Sequence, residues 1–307
     1  MRKKFLIIPA LALLGLSLAA CGDDSRGGGG GTDTAAPQAG SGVCGSTDAT
    51  DDLLAEVCDA GELKVSTDPA YPPQSSLNEK TGDYEGFDID VATEVAHRLG
   101  VKVAWETPSW DVITAGSWND RWQASVGSMT PTNDRQKVLL FSQPYYYTPA
   151  VVVVNEDNTD VQDLSTDLDG KKIGVCASCT YEQYLNKDLA IKGFTFDFMI
   201  DDAEVAGYDT DTTALQDLAI GDGDRLDAVI TSLTTAQGYI DKGNPVKIVG
   251  DPVFYEPLAI AVDKSASADP TALAAAIDDI VGEMHDDGTL TKLSEKWYGG
   301  EDLTVQQ

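Results

Sequence analysis

Apolar residues along this chain follow two alternating rhythms. Short continuous runs of aliphatic and β-branched residues recur at Leu63 to Thr67, Val151 to Val154 and Ile173 to Cys176. Others are Phe196 to Ile200, Leu226 to Ile230, Val246 to Val249 and Leu258 to Val262. Runs of this length between turn residues read as strands, and the unbroken valines at 151–154 read as one buried on both faces. Between them lie stretches with helical spacing. Ile89, Ala92, Val95, Ala96 and Leu99 share one face, with Asp88 or Asp90 as the cap and Gly100 as the stop. Further helices are expected from Thr180 to Leu189, with Thr180 and Gln183 at capping-box spacing, and from Thr213 to Ile220. Asp269 caps a helix opened by Pro270, whose stripe is Leu273, Ile277, Ile280, Val281 and Met284. Gly288 breaks that stripe, and Leu290, Leu293 and Trp297 mark a last short helix. Strand and helix alternate without a fixed-period repeat, which predicts α/β architecture.

The beginning of the chain breaks this pattern. Arg2, Lys3 and Lys4 precede an apolar run from Phe5 to Ala20, the layout of a secretory signal at residues 1–20. The run closes on Leu18, Ala19, Ala20 and Cys21, which resembles the lipobox of bacterial lipoproteins. That resemblance implies cleavage before Cys21 and a diacylglycerol on its thiol, placing the chain on the extracytoplasmic face of the membrane. Residues 21–60 are expected to be the lipidated cysteine and a flexible linker. From Gly22 to about Gly45 the composition is Gly, Ser, Asp, Thr, Ala and Pro, which cannot bury enough apolar surface to offset chain entropy. A tether of roughly 22 such residues reaches on the order of 25 Å.

Charge and cysteine content narrow the partners. A net charge of -30 repels nucleic acid phosphates, so that class is excluded. With Cys21 taken by lipid, Cys44, Cys58, Cys176 and Cys179 remain, an even number in an oxidising compartment. Proximity favours Cys44–Cys58 and Cys176–Cys179 among the three possible connectivities. The Cys-x-x-Cys pair also has readings as a zinc half-site or a redox motif. Zinc lacks a second half, because His97 and His285 each stand alone, and no thioredoxin-like context surrounds the pair.

The segment GFDIDVATEVAHRL at 86–99 resembles the signature of bacterial extracellular solute-binding proteins, family 3, the polar amino-acid-binding class of ABC importers. The likeness continues in order through VSTDPAYPP, SVGSMTPTNDRQKVLLFSQPYY, KKIGVCASCTYEQYL, DRLDAVI and DGTLTKLSEKWYG, covering about residues 62 to 300. It implies a two-lobe periplasmic-binding-protein fold, type II or Venus flytrap, with ligand trapped between lobes joined by two hinge strands. Residues 61–148 and 255–304 would form lobe 1, and residues 149–254 lobe 2. The implied partners are a small carboxylate-bearing solute, an ABC permease with its ATPase, and the membrane through the lipid. No cofactor is implied.

The resemblance assigns ligand-binding positions one by one. Arg135 matches the arginine that clamps the ligand's α-carboxylate, and its planar fork of donors suits a bidentate carboxylate. Ser128 and Thr130 supply small hydroxyls beside it. Tyr71 matches an aromatic cover and Trp110 an apolar wall, whereas Trp118 and Trp122 read as core and Tyr145 to Tyr147 as neighbours of the first hinge strand. In the second lobe, Cys176, Thr180 and Tyr181 lie at a turn and helix start suited to an anion. A Cys176–Cys179 bridge would stiffen that turn. One position departs from the pattern: relatives carry an aspartate for the α-ammonium a few residues after the "DAV" strand, where this chain has Thr231 and Ser232, so that Ser232 is the expected ligand-binding residue there. Asp68 or Asp211 would then have to supply the charge, or the ligand is no ordinary α-amino acid.

Two other functions fit the same scaffold. A ligand sensor would need a signalling partner, and no such domain follows in the sequence. A dehydratase or lyase would need a carboxylate or His in the cleft. His97 falls on the solvent side of its helix, His285 precedes an acidic turn, and no phosphate loop or nucleophile elbow is present. Binding without turnover is therefore the expectation.

Overall fold

The computed structural model describes residues 41–306. The expected signal, Cys21 and the glycine-rich part of the linker lie outside the described residues. In chain order the elements are α1 (Leu53–Ala60), β1 (Glu62–Ser66), β2 (Ala70–Tyr71), β3 (Ser75–Leu77), β4 (Tyr84–Glu85) and α2 (Phe87–Leu99). Next come β5 (Lys102–Glu106), α3 (Trp110–Thr114), β6 (Ala124–Met129), α4 (Arg135–Val138) and β7 (Leu139–Asn155). After these follow β8 (Lys172–Cys176), α5 (Thr180–Leu185), β9 (Glu204–Tyr208), α6 (Asp211–Leu218), β10 (Ala228–Ser232) and α7 (Leu233–Ile240). The chain finishes with β11 (Val246–Asp263), α8 (Thr271–Asp286) and α9 (Thr289–Trp297).

Eight strands form one sheet in the order β5-β1-β6-β11-β7-β10-β8-β9. The outer triplets are parallel within themselves, β5 with β1 and β6 on one side and β10 with β8 and β9 on the other. Between them β7 and β11 run antiparallel to each other as a long ribbon. The two strand runs expected at 246–249 and 258–262 are thus parts of one strand. Its register with β7 breaks between Val249 and Phe254 and resumes with Phe254 opposite Ala150 and Glu256 opposite Thr148.

The hydrophobic core changes partners along this ribbon. Tyr145, Tyr146, Leu258, Ile260 and Val262 pack with the buried faces of α2 and α8. Further along, Ala150, Val152, Val154, Val253 and Phe254 pack with Val175, Tyr181 and Tyr184, while Val151 and Val153 join the face of α6. The ribbon passes from one core to the other through Thr148-Pro149 and Glu256-Pro257. Alternate residues of a strand face opposite sides, so the valine run is buried on both, as expected of a central strand.

Several local expectations are corrected. Residues 41–60 are folded, not linker: Leu53, Leu54 and Val57 of α1 are buried, Asp52 caps the helix through Ala55 N–H, and Cys44 bonds to Cys58. Three apolar residues on one face and a covalent tie hold that segment against the core. Gly86, not Asp88 or Asp90, stands at the N-cap of α2. With φ at 139° it lies 2.2 Å from the Gln74 carbonyl oxygen at the position a Cβ would take, so glycine is required there. No strand forms at 196–200; β9 takes the edge place instead, and Phe196 and Phe198 pack against the core from a loop. α5 stops at Leu185, and its N-cap is the disulfide-bonded Cys179, without a side-chain cap bond; the Thr180 hydroxyl donates to Glu256 and takes no part in a capping box. Pro270 is the N-cap of α8, and Asp269 accepts from Thr271 N–H instead of capping directly before a first-turn proline.

Candidate functional site

The cleft lies where the ribbon crosses from one core to the other. Asp68 and Tyr71 arrive on the loop and short strand after β1, Trp110 on the first turn of α3, and Ser128 and Thr130 at the end of β6. Arg135 opens α4; Cys176, Thr180 and Tyr181 come from β8 and α5. All nine line one cavity, together with Gly127, Cys179, Asp209, Thr210, Asp211 and Glu256. The space between atoms there is about 490 Å³, its open mouth included.

Arg135 is the cation of this cavity. It is 4% exposed, and its guanidinium lies 5.3 Å from the centroid of the Trp110 ring. Nη1 donates to the Thr130 carbonyl at 3.0 Å and Nη2 to the Ser178 carbonyl at 2.9 Å. Nε has no hydrogen-bond partner. Of its five N–H groups, Nε–H is thus left without a partner in a side chain that lines the cavity. Burial pushes its pKa down to about 10 while Glu256 pulls it up, so the group is charged at neutral pH.

Glu256 was not anticipated from the sequence. It is 2% exposed, and its Oε2 accepts from the Thr130 hydroxyl at 2.5 Å and the Thr180 hydroxyl at 2.7 Å. Burial raises its pKa, opposed by those hydroxyls, by Tyr181 and by Arg135. A signal existed: Glu256 is the lone charge in the otherwise apolar stretch from Val253 to Val262. An acid within a strand bound for the interior needs partners. Asp209 gave no such signal, since an exposed aspartate in a Thr- and Asp-rich turn looks like any solvated loop residue.

Asp211 stands at the first residue of α6, 5% exposed, and its Oδ1 has no hydrogen-bond partner. Burial pushes its pKa up to about 7, with Thr231 lowering it and Asp68 and Glu256 raising it further. Asp68 is half-buried, accepts from Ala70 N–H at 2.8 Å, and is likewise raised by burial.

Ser232 is the candidate that the structure does not bring to the cavity wall. It caps α7 by accepting from Thr235 N–H, and its hydroxyl accepts from the Tyr71 hydroxyl at 3.0 Å. Gln74 reaches the same cluster, donating to Ser232 at 3.3 Å and to Thr234 at 2.7 Å. Ser232 therefore sits behind Tyr71, fixing the ring that lines the cavity. Ser128 holds a left-handed φ of 54°. Its N–H donates to Tyr145, its hydroxyl donates to Asp88 at 2.8 Å, and Tyr145 donates to Asp88 at 2.7 Å. Asp88 thus buries its carboxyl beneath the cavity floor, where burial pushes its pKa up to about 7.

The remaining expectations are placed as follows. Trp118 and Trp122 are buried with ring centroids 5.3 Å apart, inside a separate core cluster. Cys176 and Cys179 are bonded, as are Cys44 and Cys58. His97 is exposed, and His285 Nε2 lies 2.8 Å from the Pro144 carbonyl, away from the cleft. Among the described residues no helix is long and apolar enough to cross a membrane.

Comparison with known proteins agrees with this architecture. The L-cystine-binding protein TcyJ of Escherichia coli (strain K12) is 30% identical over 254 residues, 82% of this chain and 88% of its own length. An ancestral arginine-binding protein solved with arginine is 35% identical, with a TM-score of 0.66 over 78% of this chain and 99% of that one. The substrate binding protein of an amino acid ABC transporter is 26% identical, with a TM-score of 0.65 over 78% of this chain and 99% of that one. These relatives share the two-lobe α/β fold that the ribbon and its flanking triplets build here. Residues 63–300 match the profile of the bacterial extracellular solute-binding proteins, family 3, and the chain belongs to that family.

Proposed function

We propose that this chain captures a free α-amino acid outside the cytoplasm and presents it to an ABC permease and its ATPase. The observation that carries this reading is a pair of opposite charges in one cavity. Arg135 and Asp211 are both nearly fully buried, both line the same space, and each keeps a polar atom without a partner. An α-carboxylate satisfies the guanidinium and an α-ammonium satisfies Asp211, so a zwitterion removes both costs together. The Thr231-Ser232 departure is met in this way: the acid comes from the start of α6, not from the end of β10.

Closure follows from the same contacts. The division expected for the lobes, 61–148 with 255–304 against 149–254, puts Arg135 on one side and Asp211 on the other. A ligand that touches both binds the closed form better than the open one and shifts the equilibrium towards it. The transporter then reads the closed shape, and no bond is made or broken. Cys21 would carry the lipid that keeps the protein beside its transporter.

A thermal-shift screen of the purified chain against the twenty amino acids and related polar metabolites tests the reading, followed by calorimetry. A tight α-amino acid raises the melting temperature by mass action. If no α-amino acid shifts it while a carboxylate without an amino group does, the ammonium seat is wrong; if nothing binds, the proposal fails.

A further inference from the structure

Behind Tyr71, a group of neutral side chains joins segments far apart in the chain. Gln74, in the turn between β2 and β3, is 0% exposed. Its Nε2 donates to the Thr234 hydroxyl at 2.7 Å and to the Ser232 hydroxyl at 3.3 Å. Its Oε1 accepts from the Thr235 hydroxyl at 3.4 Å. Both amide N–H groups and the amide oxygen are thus engaged, all with the end of β10 and the first turn of α7. The Tyr71 hydroxyl adds a fourth bond to the same place through Ser232.

Each half of the group is fastened to its own surroundings. The Gln74 carbonyl accepts from Asp88 N–H at 2.9 Å and the Pro73 carbonyl from Phe87 N–H at 3.2 Å, which ties the turn to the start of α2. Ser232 caps α7 through Thr235 N–H, and the strand that ends on it, β10, pairs with β7 and β8. On the lobe division proposed above, Gln74 belongs to one lobe and the three hydroxyls to the other. Gln74, Ser232, Thr234 and Thr235 are not among the described residues that line the cavity. Pro73 and Thr234 line a different space, beside Trp297 and Leu303. A ligand in the cavity therefore reaches Tyr71 but not Gln74.

We infer that Gln74 is the centre of an interlobe latch, which sets the affinity for every ligand by favouring the closed form and touches none of them. With the lobes apart, water satisfies the amide and the hydroxyls. With the lobes together they satisfy one another, so closure strands no polar group in a dry seam. An apolar side chain at position 74 would be penalised only in the closed form, where the buried hydroxyls lose their partner. A shift of this kind scales all apparent affinities alike, because the fraction of competent protein enters each of them equally. A residue that reads the ligand changes their ratios instead. The inference rests on the lobe closure of the proposed function.

Calorimetry and stopped-flow binding on the full-length chain test it, with L-arginine, L-cystine, L-glutamine and L-histidine as probes. Gln74→Leu should weaken every probe that the parent binds by one common factor of about ten, through faster dissociation, with association changed by less than about two-fold. Thr234→Val is close to the parent in shape and should give a smaller common loss, which keeps the test readable if the leucine variant fails to fold. Unchanged affinity in both variants, a loss that differs among the probes, or a loss carried by slower association overturns the latch and leaves the head-group seats standing. Absence of binding by the parent speaks against those seats, not the latch. Small-angle scattering of the unliganded chain then decides: a parent more compact than Gln74→Leu supports the latch, and equal dimensions overturn it.

Discussion

Arg135 donates through Nη2 to the backbone carbonyl of Ser178 at 2.9 Å, joining residues 43 positions apart across the cleft. On the proposed reading the same guanidinium is both a seat for an anion and a contact with the Ser178 turn. Its removal costs both. Arg135→Ala should weaken ligand binding by about 2–4 kcal/mol, because the bound carboxylate and the Ser178 carbonyl are left without a charged donor. Calorimetry reads this directly, and an affinity within a few-fold of the parent would count against the clamp. Arg135→Lys should restore little, since an ammonium cannot present the planar fork.

With the proposed ammonium seat at Asp211, binding should depend on pH. Its pKa in the free protein is raised to about 7, and a ligand ammonium favours the ionised form, so the bound pKa is lower. Affinity is therefore full above about pH 7 and falls as pH drops through that value towards the bound pKa, by at most about ten-fold per pH unit for this group. Asp68 and Glu256 face the same space with raised values and act in the same direction. Titrations between pH 5 and 8.5 should show the loss, and Asp211→Asn should flatten it while weakening binding at pH 8.

The two disulfides should behave differently. Cys176 and Cys179 line the cavity, and their bond fixes the turn that supplies the Ser178 carbonyl and the Thr180 hydroxyl. Cys179→Ser should weaken ligand binding; unchanged affinity would discard that role. Cys44–Cys58 closes a separation of 14 residues at the edge of the core. Cys44→Ser should cost about 3 kcal/mol of stability by denaturant unfolding, with ligand affinity preserved.

Tyr71 and Ser232 connect segments 161 residues apart. Tyr71→Phe keeps the ring in the cavity and removes the hydroxyl that meets Ser232. The expected loss is about 1 kcal/mol, or roughly five-fold in affinity, because on the proposed lobe division the bond is made only when the lobes close. A change confined to thermal stability of the unliganded chain would place the bond in the open form as well.

Much of this was written in the local pattern. The runs at 151–154 and 173–176, the face of α2 and the stripe of α8 follow from the alternation of apolar and polar residues, which depends on near neighbours alone. The motif around Arg135 placed the guanidinium, and the paired cysteines found their partners at short range. The misplaced strand at 196–200 shows the limit, since apolar residues in a loop satisfy the same pattern when aromatic packing, not sheet pairing, buries them.

What only the tertiary structure decided lies at long range. Glu256 meets Thr130 and Thr180 across 126 and 76 residues, and no local rhythm encodes which buried acid a distant hydroxyl will answer. Ser232, expected on the wall, was turned behind Tyr71 by the cap it provides to α7. Asp211 became the partnerless carboxylate because the start of α6 is carried to the cleft. Periodicity sets which face of an element is dry; which polar groups then share that dry space depends on how the elements are brought together, and there the cost of an unmatched charge is settled.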